Sequence, residues 1–199
     1  MFHKANLMSD TKILKDELLS NNWYKLRKLT YEIKKRNGAV VKRVREAYDR
    51  GNGAAILLYN KETKTVILTK QFRLPTFING NASGMLIEVC AGLLDNDNPE
   101  DCIRREAEEE TGYKISNVHK VYEAYMSPGS VTELLYFFVA EYAASMKINE
   151  GGGIEHEQED IEVLELSFEK AFQMMEAGEI KDGKTIMLLQ YAKLHNLVG

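Results

Sequence analysis

The sequence has no long apolar run and no excess of basic residues, and each absence excludes a class of protein. No stretch approaches the roughly 18–20 consecutive apolar residues of a membrane-spanning helix. The N-terminus, MFHKANLMSD, lacks the apolar core of a signal peptide. The formal net charge of −4 argues against a nucleic-acid partner, which would require a basic face. We therefore expect a soluble cytoplasmic protein that contacts neither membrane nor nucleic acid.

Cysteines are also few, and the chain contains no internal repeat and no low-complexity linker. Cys90 and Cys102 form neither a CxxC pair nor a disulfide framework, so we expect both to be reduced, as suits a cytoplasm. With 199 residues, of which 44% are hydrophobic, the chain can bury a real core. Its length fits one domain with an extension or with a small second domain.

Residues 1–50 form the first predicted module, which is β-rich. A polar-apolar pattern runs over residues 23–33, and Asn37-Gly38 is a strong signal for a two-residue hairpin turn into a strand at residues 40–48. Residues 12–19 fit a short helix or a strand. Because the alternation covers only one face, this hairpin must pack on something, and a partner subunit is one candidate.

Residues 51–199 form the second predicted module, in which strands and helices alternate. A side-chain acceptor at Asn98, proline at the next position and a stop at Gly112 predict a capped helix that ends at Thr111. Before it, a strand ends at Cys90 and Ala91-Gly92 is expected in a loop. The other predictions are strands at residues 54–59, 65–72, 85–89, 118–124, 133–142 and 161–166, helices at 168–177 and 184–194, and a mobile glycine-rich loop at 147–159.

Two glutamates on the predicted helix carry the chemistry. Glu106 and Glu110 are four residues apart, so they rise by about 6 Å and differ by about 40° around the helix axis. Like charges at this spacing repel, and a hard dication between them removes the conflict. Arg105 and Glu109 have the same spacing with opposite charges, so we expect an ion pair that orients the helix face. The alternative interpretation is an acidic face exposed to solvent.

The surrounding residues resemble the Nudix box. Gly92 and the run from Arg105-Glu106 through Glu109-Glu110 to Gly112-Tyr113 match its pattern, with two departures. Asn98 stands where the box has an isolated glutamate, and six residues instead of seven separate it from Arg105. The resemblance implies an α+β fold, namely the Nudix α/β/α sandwich around a mixed sheet, here with an N-terminal β-hairpin extension.

The resemblance extends beyond the box. Pro128 lies sixteen residues after Gly112, as in the ADP-ribose pyrophosphatase branch of Nudix enzymes. The segments around Tyr48–Ala54, Gln71–Arg73, Cys90–Asp97, Gly151–Ile154 and Asp182–Thr185 are similar to the bacterial GDP-mannose pyrophosphatases within that branch. This likeness implies magnesium-dependent hydrolysis of the diphosphate of a nucleotide sugar, GDP-mannose above all. It also implies a homodimer that exchanges the N-terminal strands.

The resemblance implies a metal site and a catalytic loop residue. The Ala91 carbonyl and the carboxylates of Glu106 and Glu110 would hold one to three Mg²⁺ ions, for which Mn²⁺ is a possible substitute. Glu159 would join them from the late loop and position or deprotonate the attacking water, with Glu110 as the second catalytic residue. Glu155 and Glu157 are the alternatives to Glu159, but we expect both to be charged side chains exposed to solvent, without a catalytic role.

The same resemblance implies substrate contacts along the whole chain. Arg73 would bind phosphate, because guanidinium offers paired donors to a diphosphate. Base, ribose, sugar and phosphate contacts would come from Trp23, Val44, Arg45, Glu46, Ala91, Gly92, Leu93, Glu110, Glu133, Gln158 and Lys184. For Trp23, simple packing is an equally good interpretation.

Two other functions remain open on the sequence alone. The first is the same chemistry on ADP-ribose or another nucleotide sugar, because a few hydrogen bonds decide base preference. The second is a non-catalytic Nudix domain that senses nucleotides. The intact pair Glu106 and Glu110 disfavours this second function, because a sensor would be expected to lose a metal carboxylate.

Overall fold

The computed structural model describes residues 11–154 and 159–199 of the chain. Contacts between residues divide it into two compact units. The first contains the chain up to Arg50 together with Ser127–Glu133, and the second contains Gly51–Met126 and Leu134–Gly199. Each unit is described separately below.

The first unit contains a three-stranded antiparallel sheet in the order β1-β2-β3. Its strands are β1 (Thr11–Asn21), β2 (Lys25–Lys34) and β3 (Val40–Asp49), so residues 12–19 form a strand and not a helix. The predicted two-residue turn was wrong. Lys35 donates its N–H to the Ala39 carbonyl at 2.8 Å, which leaves three residues in the loop. Gly38 there has φ +84°, the left-handed conformation typical of three-residue hairpin loops.

The segment Ser127–Glu133 belongs to this first unit, although the sequence placed it in the second module. The Tyr48 N–H donates to the Ser130 carbonyl at 2.7 Å, and the Thr132 N–H donates to the Tyr48 carbonyl at 3.0 Å. These hydrogen bonds join residues more than eighty positions apart. Local sequence patterns carry no signal for such a pairing.

The second unit is built on a seven-stranded mixed sheet. Its central order is β10-β5-β4-β9-β8, with β6 paired to β5 and β7 paired to β4. The strand β4 runs parallel to β9, and the other pairs are antiparallel. The strands are β4 (Gly53–Asn60), β5 (Thr65–Phe72), β6 (Met85–Glu88), β7 (Cys90–Leu93), β8 (His119–Tyr125), β9 (Leu134–Glu141) and β10 (Glu162–Ser167). The helices are α1 (Leu74–Ile78), α2 (Pro99–Thr111), α3 (Phe168–Glu176) and α4 (Gly183–Leu194), with a 3-10 turn at Ala144–Met146.

Strand β4 is the centre of the core, and all eight of its residues are buried. Because successive side chains point to opposite faces, Ala55 and Leu57 join a cluster with residues of α3 and α4. Ile56 and Leu58 join a second cluster with residues of α2. Helices therefore cover both faces of the sheet, and the predicted α/β/α sandwich is confirmed.

Helix α2 has the predicted boundaries. The Asn98 side chain accepts hydrogen bonds from the N–H groups of Glu100 and Asp101 at 3.1 and 3.0 Å, and Gly112 ends the helix with φ +80°. The residue that departs from the Nudix box is thus the helix N-cap. Among the described residues, no helix is both long and apolar enough to cross a membrane.

One prediction for the second unit needs correction, and one helix was not predicted. Ala91 and Gly92 are not in a loop: they lie in β7, where they pair with Ala55 and Ala54 of β4. Helix α1 was not predicted, because its five residues include Pro75 and bury none of their side chains. It therefore has no apolar periodicity to detect.

Candidate active site

Helix α2 carries the predicted pair of carboxylates against strand β7. Glu110 is only 2% exposed, and its Oε2 accepts a hydrogen bond from the Ala91 N–H at 3.3 Å. Glu106 lies one turn earlier, with its side chain 13% exposed. The alternative interpretation, an acidic face exposed to solvent, is thereby excluded for both residues.

The surroundings of Glu110 make its charge costly in the metal-free protein. Burial raises the pKa of Glu110 to about 8; a hydrogen bond with the Cys90 thiol opposes this shift, and the charges of Glu106 and Glu159 add to it. A cation in place of the proton would resolve this conflict. Within residues 11–154 and 159–199, however, no three His, Cys, Asp or Glu side chains are already grouped as a metal site.

Gly92 explains how Glu106 reaches this position. A Cβ atom added to Gly92 would lie 2.0 Å from Cδ and 2.3 Å from Oε1 of Glu106. Real Cβ contacts are never this short, so the Glu106 carboxyl occupies the space that the missing side chain leaves. We predicted Gly92 as a substrate contact, and the structure gives it a further role in making room for this carboxylate.

We expect Gly92→Ala to lower kcat/KM about 100-fold, because the new methyl group displaces a carboxylate that would hold the metal and several kcal/mol of transition-state stabilisation depend on that metal. Steady-state kinetics on the purified variant measure the effect. Gly129→Ala is the matched control, because a Cβ at Gly129 meets nothing within 4 Å. Equal activity of Gly92→Ala and Gly129→Ala would contradict this role.

Arg105 connects the acidic residues of this helix, as predicted. Its Nη1 lies 2.9 Å from Oε2 of Glu109 and 3.0 Å from Oε1 of Glu106. Its Nε lies 3.6 Å from a carboxylate oxygen of Asp97, in the turn before the helix. The predicted pair with Glu109 is present, and the same guanidinium also holds the carboxylate of Glu106.

The glycine-rich loop is tied to the end of α2. The N–H groups of Gly152 and Gly153 donate to the carbonyls of Glu110 and Glu109 at 2.9 and 3.1 Å. A Cβ on Gly151 would lie 2.4 Å from the Glu110 carbonyl oxygen, so the backbones approach as closely as glycine permits. The described part of the predicted mobile loop is therefore anchored where the helix ends.

This anchoring brings Glu159 to the acidic pair. Its Oε2 accepts a hydrogen bond from the Ile154 N–H at 3.1 Å, and its charge contributes to the raised pKa of Glu110. A Cβ on Gly153 would lie 2.5 Å from Oε2 of Glu159, so this glycine also makes room for a carboxylate. The other predicted loop residues, Glu155, Glu157 and Gln158, lie outside the described part of the chain.

A second group of charges lies beside the acidic pair. Arg73 Nε donates to Glu88 Oε2 at 2.6 Å, and Lys184 Nζ donates to Glu88 Oε1 and, at 3.0 Å, to Asp182. Burial lowers the pKa of Arg73, but the charges of Glu88, Glu110 and Asp182 outweigh it and raise that pKa. The structure therefore brings together the two predicted phosphate-binding cations, near Glu110.

Sequence reasoning missed three members of this site. Glu88 is a single acid at the end of an apolar strand, Cys90 is a buried thiol against Glu110, and Asp182 was noticed only as part of a family resemblance. An ionisable residue at the end of a buried strand was a usable signal for Glu88. No local pattern indicates the contact of Cys90.

The remaining predicted substrate contacts lie in the first unit or on β7. Trp23 is 81% exposed in the turn between β1 and β2, and Val44, Arg45 and Glu46 lie exposed on β3. Glu133 forms an ion pair with Arg50 at 3.5 Å. Leu93 ends β7 and accepts a hydrogen bond from the Cys102 thiol at 3.2 Å. Their contact with substrate stays a prediction.

The sandwich and the acidic helix define a class of protein, and the family comparison agrees: the model of the NUDIX domain matches residues 49–189. The chain belongs to the Nudix family of hydrolases. The model described as the GDP-mannose pyrophosphatase NudK N-terminal domain matches residues 10–48.

Several similar curated proteins are named GDP-mannose pyrophosphatase. The chain is 58% identical to that of Salmonella arizonae, over 94% of this chain and 97% of the relative. It is 63% identical to that of Yersinia pestis strain Pestoides F, over 90% and 89%, and 59% identical to that of Yersinia enterocolitica, over 93% and 96%. A solved structure, "Crystal structure of ADP compounds hydrolase", aligns with a TM-score of 0.68 at 17% identity, over 94% of this chain and 96% of that one. It supports the fold.

Proposed function

We propose that this protein hydrolyses the diphosphate bond of GDP-mannose, giving GMP and mannose 1-phosphate. The observation that carries the proposal is the pair Glu106 and Glu110, held one turn apart on α2 and enclosed by β7. The name shared by relatives at 58–63% identity supports the choice of GDP-mannose.

The donor set of this site suits Mg²⁺. It offers the carboxylates of Glu106 and Glu110, with Glu159 nearby, and the proposed fourth donor is the Ala91 carbonyl; all are oxygen ligands of the kind that hard cations prefer. Bound Mg²⁺ would neutralise the diphosphate and lower the pKa of a water. The two carboxylates repel each other, and a bound cation would offset this repulsion and the cost of their burial.

The chain's own residues would then position substrate and water. Arg73 lies near enough to Glu110 for its charge to lower the pKa of that residue, and it shares Glu88 with Lys184. We propose that both cations donate hydrogen bonds to phosphate oxygens. Glu159 would orient or deprotonate the water. The contacts of Trp23, Glu133 and Gln158 with base and sugar remain part of the proposal, as do those of Val44, Arg45, Glu46, Gly92 and Leu93.

Parallel turnover assays on GDP-mannose and ADP-ribose test this function. We expect kcat/KM for GDP-mannose to be at least about tenfold higher, the factor that one or two base-specific hydrogen bonds supply. A tenfold preference for ADP-ribose would overturn the substrate and leave the chemistry intact. No hydrolysis of either compound in Mg²⁺ or Mn²⁺ would favour a nucleotide sensor.

We further propose a homodimer formed through the first unit, with exchanged N-terminal strands. Its three strands leave many large apolar side chains exposed in the single chain, more than an isolated sheet tolerates: Ile13, Leu14, Leu18, Leu19, Val40, Val44 and Tyr48.

We also propose a cytoplasmic location. The two cysteines are free and buried, which supports it.

Light scattering should give twice the mass of one chain at micromolar concentration. Leu18→Glu should shift the protein toward monomer, because it places a charge in the proposed apolar contact. Leu194→Glu, at an apolar residue 83% exposed on the last helix, is the matched control and should leave the mass unchanged. A monomeric wild-type protein would refute the dimer.

A further inference from the structure

Glu88 contacts both cations of the proposed phosphate site, and no other carboxylate in residues 11–154 and 159–199 forms an ion pair with both. It is 3% exposed at the end of β6, and each of its oxygens serves a different partner. Oε2 accepts from Arg73 Nε at 2.6 Å, and Oε1 accepts from Lys184 Nζ. Because Arg73 follows β5 and Lys184 lies in the first turn of α4, a single buried carboxylate sets the separation of cations from two distant parts of the chain.

The backbone around Glu88 is itself fixed. The Val89 N–H donates to Thr185 Oγ1 at 2.8 Å, and Thr185 donates both its N–H and its hydroxyl to Asp182, at 2.9 and 2.6 Å. These hydrogen bonds lock the start of α4 to the end of β6. The backbone at Lys184 is therefore fixed relative to the backbone at Glu88, independently of the ion pair between their side chains.

The bonds to Glu88 also decide which donors stay available. Glu88 engages Nε of Arg73, and within the described part of the chain the nitrogens Nη1 and Nη2 have no hydrogen-bond partner. Lys184 has three N–H donors, of which Glu88 and Asp182 take two. The arrangement leaves the outer edge of the guanidinium and one ammonium hydrogen for a ligand, with the Arg73 side chain 39% exposed.

We propose that Glu88 is a positioning residue, which holds Arg73 and Lys184 at the spacing needed to grip the diphosphate together. This inference rests on the proposed function, because it requires both cations to bind phosphate oxygens. Glu88 itself touches no reacting atom. An ordinary structural ion pair would stabilise the fold without changing diphosphate affinity, and this difference can be measured.

The first experiment compares Glu88→Gln and Glu88→Asp with the wild type. The glutamine keeps the shape and loses the charge, whereas the aspartate keeps the charge and is too short to bridge both cations. We expect either change to weaken binding of methylenediphosphonate with Mg²⁺ about tenfold and to raise KM about tenfold. This is the effect expected from the loss of one charge-assisted hydrogen bond. We expect kcat to change less than about threefold, because the lost contact stabilises the bound substrate and the transition state equally.

Three readouts separate positioning from stability. Mn²⁺ affinity without diphosphonate should equal that of the wild type. In an Arg73→Ala background, Glu88→Gln should weaken diphosphonate binding by less than it does in the wild type, because only Lys184 is left for Glu88 to position. Glu162→Gln, which removes an exposed carboxylate paired with Lys70 at 2.8 Å, is the matched control and should bind diphosphonate normally.

The outcomes distinguish the two proposals. Normal diphosphonate binding by Glu88→Gln, a full additional loss in the Arg73→Ala background, or restoration by Glu88→Asp would overturn the positioning role. If the wild type fails to hydrolyse GDP-mannose while the Glu88 variants still lose diphosphonate affinity, the proposed substrate is wrong and the positioning role stands. If Glu88→Gln does not fold, the Glu88→Asp protein carries the same comparison.

Discussion

Glu110→Gln should lower kcat/KM for GDP-mannose by about 1,000-fold, because a metal ion contributes several kcal/mol to this chemistry and each tenfold in rate corresponds to about 1.4 kcal/mol. The glutamine keeps the shape of the side chain and loses the negative charge that would bind the ion. Glu110 is buried and accepts a hydrogen bond from the Ala91 N–H, so its position against β7 is fixed. Steady-state kinetics at saturating Mg²⁺ measure the loss.

The same variant should be at least as stable as the wild type without metal. The folded pKa of Glu110, about 8, lies above its ordinary value of 4.5, so the neutral form stabilises the fold below pH 4.5 and this stabilisation is lost as pH rises through 8. Glutamine stays neutral throughout. Thermal unfolding at pH 8 in EDTA should therefore give an equal or higher Tm for Glu110→Gln.

Glu108→Gln is the matched control on the same helix. Glu108 is half-buried and lies outside the acidic pair, so its activity and its Tm should match those of the wild type. Full turnover by Glu110→Gln would refute the metal assignment. A collapse of Tm in Glu110→Gln would show that the residue is needed for folding instead.

Glu159→Gln should lower kcat by about 100- to 1,000-fold with little change in KM. A loss of this size is expected when a general acid–base residue that also contributes to a metal site is removed. Its carboxylate is close enough to raise the pKa of Glu110, and it accepts a hydrogen bond from the Ile154 N–H in the space that Gly153 leaves. A residue that acts on the water contributes in the transition state and little to substrate binding. Single-turnover measurements with excess enzyme isolate this chemical step.

The other loop glutamates provide the comparison. Glu150→Gln is the matched control, because Glu150 is exposed on the same loop and pairs with Lys147. We expect Glu150→Gln, Glu155→Gln and Glu157→Gln to keep kcat within about threefold, as surface charges do. If Glu155→Gln or Glu157→Gln shows the large loss and Glu159→Gln does not, the catalytic residue has been assigned to the wrong glutamate.

The sequence predicted those features that depend on neighbours along the chain. Helix α2 has its expected limits because Asn98 caps it and Gly112 ends it. Most strands and helices followed from periodicity, with the exceptions of β7 and α1, and the pair Arg105 and Glu109 followed from a spacing of four residues. The position of Glu110 against β7 could be expected from the closeness of strand and helix in the chain.

Features that depend on distant residues were missed or wrong. Glu88 meets Arg73 and Lys184 only after three elements assemble, so the sequence marks it as an acid at the end of an apolar strand but does not indicate its partners. The strand β7 was taken for a loop because its pairing partner, β4, lies nearly forty residues earlier. Ser127–Glu133 joins the first unit through hydrogen bonds to Tyr48, which its own composition does not reveal.

The central claim is that a divalent ion binds between Glu106 and Glu110. A crystal of the protein soaked with Mn²⁺ and a non-hydrolysable GDP-mannose analogue tests it most directly, through the anomalous signal of the metal. We predict a peak bridged by the two carboxylates and facing Ala91, with the analogue's diphosphate between that ion and Arg73. A metal peak elsewhere, with both carboxylates turned toward bulk water, would contradict the account.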